Sequence, residues 1–201
     1  MEAQDKRISI LKAASACFSR YGYEKTTLDD IGKLVGLNKA SLYYYYKNKE
    51  SIYTEVIYYE ANDFLAAVFE EVHKVQGCSE KITAYLSQRL RYVRSAVNLS
   101  QLSIDSRQQL APLFGEMYAR ITEKEANMLA EVLAACMKNG ELAPCDAKKV
   151  ADGILTVSLA VLNSHGACNP DMDAAACKEG LDEATFIVEL ILKGLKAEKQ
   201  V

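Results

Sequence analysis

The chain has 201 residues, of which 50% are hydrophobic and 25% charged, with 24 Lys/Arg against 27 Asp/Glu and no tryptophan. These fractions sit near the globular average and exclude wholesale disorder, collagen-like repeats and a disulfide-knotted miniprotein; the length fits one ordinary domain or a small domain fused to a larger one. The net charge of −3 hides an asymmetry, +3 over residues 1–50 and −6 over residues 51–201, which hints at a polyanion-binding module joined to something else.

Helix signals run almost throughout and strand signals are nearly absent. Residues 5–21 place Ile8, Leu11, Ala14, Cys17, Phe18 and Tyr21 at three- and four-residue steps, the apolar face of a first helix. Gly22 follows, where a left-handed C-cap residue is expected. Thr27-Leu28-Asp29-Asp30 reads as an N-cap threonine with an acidic residue three positions on, a capping-box variant. Its helix directs Leu28, Ile31, Leu34 and Val35 inward and stops at Gly36. Asn38 is a good N-cap for a third, short helix from Lys39 to about Tyr45.

Asn48 caps a longer fourth helix from Lys49 towards Gln76, with Ile52, Val56, Tyr59, Phe64, Val68 and Val72 apolar. Gly77-Cys78-Ser79 breaks it, and a fifth runs from about Ser79 to Ser95. An irregular or short helical stretch covers 97–111. Pro112 suits the first turn of a long helix ending near Asn139-Gly140. Another runs from Pro144-Cys145-Asp146 to about Ser164, and a last one from about Ala174 to Lys199. The sequence predicts an all-α protein of about nine helices.

No membrane span is expected, because the longest mostly apolar stretch, Gly153 to Leu162, contains Thr156 and Ser158 and falls short of the roughly 18 apolar residues a span requires. The N-terminus lacks the apolar core of a secretory signal, which predicts a cytoplasmic protein. Cys17, Cys78, Cys136, Cys145, Cys168 and Cys177 form no C-x-x-C pair and are expected to be mostly small buried residues.

Two short helices joined by Val35-Gly36-Leu37-Asn38 form a helix-turn-helix pattern, in which the second helix enters the DNA major groove. The run Tyr43-Tyr44-Tyr45-Tyr46 sharpens it. At about 100° per residue, four successive side chains point around most of the helix, so one or two phenols must face outward. Beside Lys39, Lys47 and Lys49 they suit phosphate and base contacts.

The stretch from Thr26-Thr27-Leu28-Asp29-Asp30-Ile31 through Asn38-Lys39-Ala40-Ser41-Leu42-Tyr43-Tyr44-Tyr45-Tyr46-Lys47-Asn48-Lys49-Glu50 resembles the DNA-binding domain of TetR-family transcriptional regulators. Ala13-Ala14, Phe18 and Tyr21-Gly22-Tyr23 fit the family's first helix, so the likeness covers roughly residues 7–55. It implies a helix-turn-helix domain over 1–48 and a helical ligand-binding and dimerisation domain over 49–201. Thr27 would give its hydroxyl or backbone N–H to a phosphate; Lys39, Ala40 and Ser41 would reach base edges. Tyr43, Tyr44 and Tyr45 would combine phosphate clamping with contact to thymine methyls, and Lys49 would hold a flanking phosphate. Asn38 and Ala40 stand where many relatives carry Ser or Thr and Gly, which leaves the fold intact but alters the expected operator. Tyr46, where Phe is frequent, is expected to pack inward.

The resemblance further implies a small-molecule effector, a homodimer formed through the last two helices and a palindromic double-stranded operator, with a tilt of the fourth helix as the lever. Candidate dimer residues are Ile154, Val157, Ser158 and Val161 on one helix and Phe186, Ile187, Leu190 and Ile191 on the other; the same stripes would also suit a monomeric core. Candidate effector-binding residues are Tyr85, Arg89 and Tyr92 on one face and Phe114, Met117 and Tyr118 on the next long helix, where aromatic, Met and one basic group could build an anchored apolar pocket or merely fill the core. His165, Cys168, Asp171, Asp173 and Cys177 offer an alternative soft-metal or redox-sensing set, although their spacing matches no structural zinc pattern. No metal or other cofactor is expected. No Walker A, G-x-G-x-x-G, H-E-x-x-H or G-x-S-x-G motif occurs, which argues against an enzyme. A helical adaptor binding only protein remains the other class.

Overall fold

The computed structural model describes residues 2–95, 102–165 and 174–197. Among these residues there are eight helices: α1 (Glu2–Lys25), α2 (Leu28–Val35), α3 (Lys39–Tyr45), α4 (Lys49–Lys74), α5 (Cys78–Ser95), α6 (Ile104–Lys138), α7 (Ala147–Ser164) and α8 (Ala174–Gly194). The fold is all-α, and an isolated bridge joins Leu142 to Lys196 among the described residues.

The chain divides into two compact units, Met1–Asp63 with Ala96–Ile121, and Phe64–Ser95 with Thr122–Val201. Both α4 and α6 therefore contribute residues to each unit. The core of the first unit gathers Ile10, Ala14 and Phe18 of α1, Ile31 of α2, Leu42 of α3, Ile52, Tyr53 and Val56 of α4, and Leu110 and Met117 of α6. Phe18, Tyr23 and Tyr53 form an aromatic cluster, Phe18 edge-on to Tyr53 with ring centroids 5.0 Å apart. In the second unit α7 packs along α8, and α8 also meets α5. Leu86, Leu129, Leu133, Ile154, Leu155 and Val188 are buried there.

Three expectations are corrected. Pro112 does not open the long helix: α6 begins at Ile104 and carries Pro112 inside it. A separate carboxylate explains the earlier start. Glu24, at the end of α1, accepts from the Ser103 N–H at 3.0 Å, and Ser103 Oγ accepts from the Ser106 N–H at 3.2 Å, which satisfies amides that a helix start leaves open. Proline has no N–H for the carbonyl of Gln108, and both residues are exposed, so that carbonyl can turn to water.

Gly22 takes the expected positive φ of 78°, yet α1 resumes beyond this break and ends at Lys25. The following Thr26 is buried, and its hydroxyl donates to the carbonyls of Cys17 and Gly22. Leu34 is 62% exposed rather than inward. The inner face of α2 runs through Leu28, Ile31 and Gly32, and Leu34 falls about a third of a turn away from it.

Candidate nucleic-acid interface

Local chemistry sets the geometry of α2 and α3. The Thr27 hydroxyl accepts from the Asp30 N–H at 3.2 Å, and the Asp30 carboxylate accepts from the Thr27 N–H at 3.0 Å, a reciprocal capping box. Hydrogen bonds from Thr27 hold the Asp30 carboxyl below its ordinary pKa. Gly36 ends α2 with φ 66°, the left-handed region that costs other residues about 1–2 kcal/mol. The chain then folds back tightly, and the Leu37 N–H donates to the Gly32 carbonyl at 2.9 Å. Asn38 caps α3, its Oδ1 accepting from the Ser41 N–H at 2.8 Å.

From α1, the Lys6 ammonium donates to the Val35 carbonyl at 3.1 Å, placing a cation on the negative end of α2. Leu42 is buried, Tyr46 is buried as expected, and Tyr45 is half-buried against the same core. The Arg7 guanidinium lies 5.1 Å over the Tyr46 ring. Lys39, Ala40, Tyr43 and Tyr44 remain on the exposed side of α3, Tyr43 at 49% and Tyr44 at 82% exposure. Ser41 is half-buried. The tyrosine run thus splits, two rings outward and two towards the core.

Two of the residues expected on phosphate have their donors already engaged. The Thr27 N–H and hydroxyl both donate to Asp30. The Lys49 ammonium donates to the carbonyls of Tyr23, Glu24 and Thr26 at 2.9, 3.4 and 3.2 Å and lies 4.3 Å over the Tyr23 ring. Lys49 therefore closes the carbonyl end of α1. A lone Lys in sequence gives no sign of which of these two acceptors, carbonyl cluster or phosphate, will hold it.

A family model described as "Bacterial regulatory proteins, tetR family" matches residues 10–56, the segment that contains this helix-turn-helix. The chain is 32% identical over 146 residues to the HTH-type transcriptional regulator RutR of Escherichia coli K12, covering 70% of this chain and 66% of that one. It is 38% identical over 95 residues to the biofilm operon icaADBC HTH-type negative transcriptional regulator IcaR of Staphylococcus epidermidis, covering 45% and 51%. A crystal structure of a transcriptional regulator from Cytophaga hutchinsonii superposes with a TM-score of 0.71 at 25% identity, over 94% of this chain and 97% of that one. The chain belongs to the TetR family of transcriptional regulators. It is accordingly a DNA-binding helix-turn-helix protein and not an enzyme.

The residues expected to bind an effector in this TetR-family chain are divided between the two units. Met117 is buried in the core of the first unit, where Phe114 packs 6.4 Å from Tyr53 and 6.1 Å from Tyr118. Tyr118 is about half exposed. Tyr85 and Arg89 belong to the second unit and are both buried. Arg89 is not a solvated anchor: its Nε and Nη2 donate to the Glu125 carboxylate at 2.7 and 3.3 Å, and the Tyr85 hydroxyl donates to the same carboxylate. Burial, then the negative charge of Glu125, raises the Tyr85 pKa well above its ordinary value. Glu125 is a further member of this buried set. Its signal is a charge in register with the buried stripe Leu129, Val132 and Cys136 of α6. The side chain of Tyr92 lies outside the described residues.

Of the expected dimer residues, Ile154 and Ser158 are fully buried within the chain, the Ser158 hydroxyl donating to the Ile154 carbonyl at 2.7 Å. Phe186 and Leu190, by contrast, are 59% and 50% exposed, and Val157, Val161, Ile187 and Ile191 are partly so. In the cysteine-bearing loop, 166–173 and the Cys177 side chain lie outside the described residues, while His165 pairs with Glu183. Burial raises the thiol pKa values of Cys17, Cys78 and Cys136, which makes them poor nucleophiles.

Proposed function

We propose that the chain is a ligand-responsive homodimeric repressor that binds a palindromic operator and is released by a small-molecule effector. The observation that carries this reading is the exposed arc of Lys39, Ala40, Tyr43 and Tyr44 on a short helix whose other side is fixed to a core. Lysines and phenols set outward on a helix of this placement suit phosphate and base-edge contact, with backbone contacts setting register and base contacts setting sequence. Thr27 and Lys49 then act indirectly, by shaping the helix starts from which α3 and α4 depart.

Dimerisation is supported by the apolar stripe of Phe186 and Leu190 flanked by Ile187 and Ile191. Two heads about one helical turn of DNA apart bind a palindrome together, and one seven-residue helix makes few contacts alone. The similarity to IcaR, a negative transcriptional regulator, supports repression. The DNA-binding domain would span 1–48, and effector and partner would bind within 49–201. Among the described members of the expected effector set, Phe114 and Tyr118 keep surface for a ligand. The effector would act by binding two states unequally, and α4, which like α6 carries residues of both units, is a covalent route. Among the described residues no helix is long and apolar enough to cross a membrane, and a cytoplasmic location follows from the proposed operator binding.

The test is a fluorescence-anisotropy titration against the DNA upstream of the chain's own gene, at several salt concentrations, with a scrambled duplex as control. Tight, sequence-dependent binding with a steep salt slope is expected. Binding to neither duplex at low salt, before and after denaturing, stripping and refolding, would refute the reading.

A further inference from the structure

Two helix faces in the first unit bound a space between them. Arg7, Ile8 and Leu11 of α1 stand at three- and four-residue steps, and so do Glu55, Tyr58 and Tyr59 of α4, so each set shares one face of its helix. The two faces line a cavity of about 400 Å³, and Tyr46, at the end of α3, adds to its wall. That volume lies in the range of small-molecule sites. Every lining residue belongs to Met1–Asp63, the segment of the first unit that carries α3. None of them is among the residues expected to bind an effector or DNA.

The chemistry of the walls selects the occupant. Ile8, Leu11 and the rings of Tyr46, Tyr58 and Tyr59 offer aliphatic and aromatic surface, which suits a flat ring. Of the two charged residues on the wall, Glu55 is already engaged. Its carboxylate accepts from Arg120 of α6 at 3.1 Å, and the same guanidinium lies 3.9 Å over the Tyr58 ring. Arg7 makes no ion pair among the described residues. Its guanidinium faces the Tyr46 ring at 5.1 Å, and the Tyr46 hydroxyl donates to the Arg7 carbonyl at 3.5 Å. A carboxylate entering here would meet a planar fork of donors that matches it. An ammonium group would have to compete with Arg120 for Glu55.

We propose that this cavity binds an aromatic carboxylate, its anion on Arg7 and its ring against Tyr58 and Tyr59, and that the bound anion acts on α3 through Tyr46. The second half rests on the reading that α3 binds an operator. Tyr46 ends α3, its N–H donating to the Leu42 carbonyl at 3.0 Å, and its contacts with Arg7 tie that end to α1. A carboxylate that draws the guanidinium off the ring loosens this tie, so α3 is held less firmly and operator affinity falls.

The experiment titrates the full-length protein by calorimetry with 1-naphthoate, and with 1-naphthamide, which has the same shape without the charge. The acid should bind saturably and the amide roughly tenfold more weakly. Arg7 is exposed, so Arg7→Gln should keep the parent Tm and weaken the acid about tenfold. Glu55→Gln should instead tighten it about threefold by removing negative charge from the wall, a gain that a damaged fold does not give. Saturating acid should weaken operator binding about threefold, the worth of one exposed cation–π contact. Arg7→Gln should carry that loss without the acid and show no further loss with it. No saturable binding of the acid at millimolar concentration, equal binding of the amide, or undiminished binding in Arg7→Gln would overturn the site. Binding with operator affinity unchanged would overturn the action on α3. Failure of the operator reading would show separately, as no operator binding in the absence of acid.

Discussion

Gly32 gives the sharpest test of how the helix-turn-helix is held. A Cβ built on it would lie 2.4 Å from the Leu37 carbonyl oxygen, 3.4 Å from the Leu37 carbonyl carbon and 3.5 Å from Leu42 Cδ1. The first of these is backbone, so no side chain can rotate away. For ordinary contact of about 3.5 Å the turn must retreat by about 1 Å, and the Leu37 N–H bond to Gly32, 2.9 Å long, must stretch or tilt with it. Overpacking of this kind costs about 1–3 kcal/mol, and alanine returns up to about 1 kcal/mol of helix propensity. The net loss in Gly32→Ala is about 1–2 kcal/mol, which in a chain of this size lowers Tm by about 3–6 °C. Operator affinity should fall further than stability does, because α3 no longer leaves the turn at the same angle. Two controls separate cause from composition. Gly36 has nothing within 4 Å of an added Cβ but φ +66°, and Gly115 has open space and no positive φ. Gly36→Ala should cost about 1–2 kcal/mol from the left-handed backbone alone, whereas Gly115→Ala should raise Tm through helix propensity. Melts by circular dichroism and operator titration check all three. A Gly32→Ala protein with unchanged Tm and full operator affinity would refute the close approach as the feature that sets α3.

Four further outcomes are expected. Glu125→Leu removes the carboxylate from a buried arginine and should cost about 3–5 kcal/mol in chemical denaturation, while adding Arg89→Met should recover most of that loss; a single variant as stable as the parent would show the pair to be immaterial. Burial alone would raise the Glu24 carboxyl, but hydrogen bonds from Ser103 and Ser106 outweigh it and hold it at about 2, below the ordinary 4.5. A depressed folded pKa means stability that is present above 4.5 and lost as pH falls towards 2, so the Tm difference between the parent and Glu24→Gln should shrink across that window, and a pH-independent difference would count against the contact. Leu190→Glu, with Phe186→Glu alongside, should yield monomers by light scattering with little loss of helix content; persistent dimers would place the interface elsewhere. Tyr43→Phe should weaken operator binding without lowering Tm, and loss of folding would instead make the ring part of the core.

The parts legible in the sequence are those whose signals lie within a few residues of the structure they set. Thr27 and Asp30, Asn38 and Ser41, and Asp146 and Lys149 are hydrogen-bonded three residues apart, so three helix starts could be read from one-dimensional spacing. The positive φ expected at Gly22 and the helix stop expected at Gly36 are local for the same reason. Pro112 misled because the cap that decides where α6 begins includes Glu24, 79 residues away from Ser103. A proline preference is a statement about one residue, and a distant carboxylate that satisfies the helix start overrides it.

The same distinction governs the expected sites. Arg89 is the basic group expected to anchor a pocket, and its guanidinium is held by a carboxylate 36 residues along the chain. An arginine specifies the chemistry of its partner and not the partner's origin. The stripes of α7 and α8 behave likewise: apolar periodicity reported Ile154 and Phe186 alike, although the first is fully buried and the second is 59% exposed. Periodicity reports that a face avoids water. Which surface relieves it depends on the remaining area, and here the chain's own helices cover Ile154, Ser158 and Val188 but leave Phe186 and Leu190. An exposed phenylalanine and leucine four residues apart on one helix form a continuous strip, and burying that strip against a second copy is the proposed step that sets the spacing of two α3 helices on DNA.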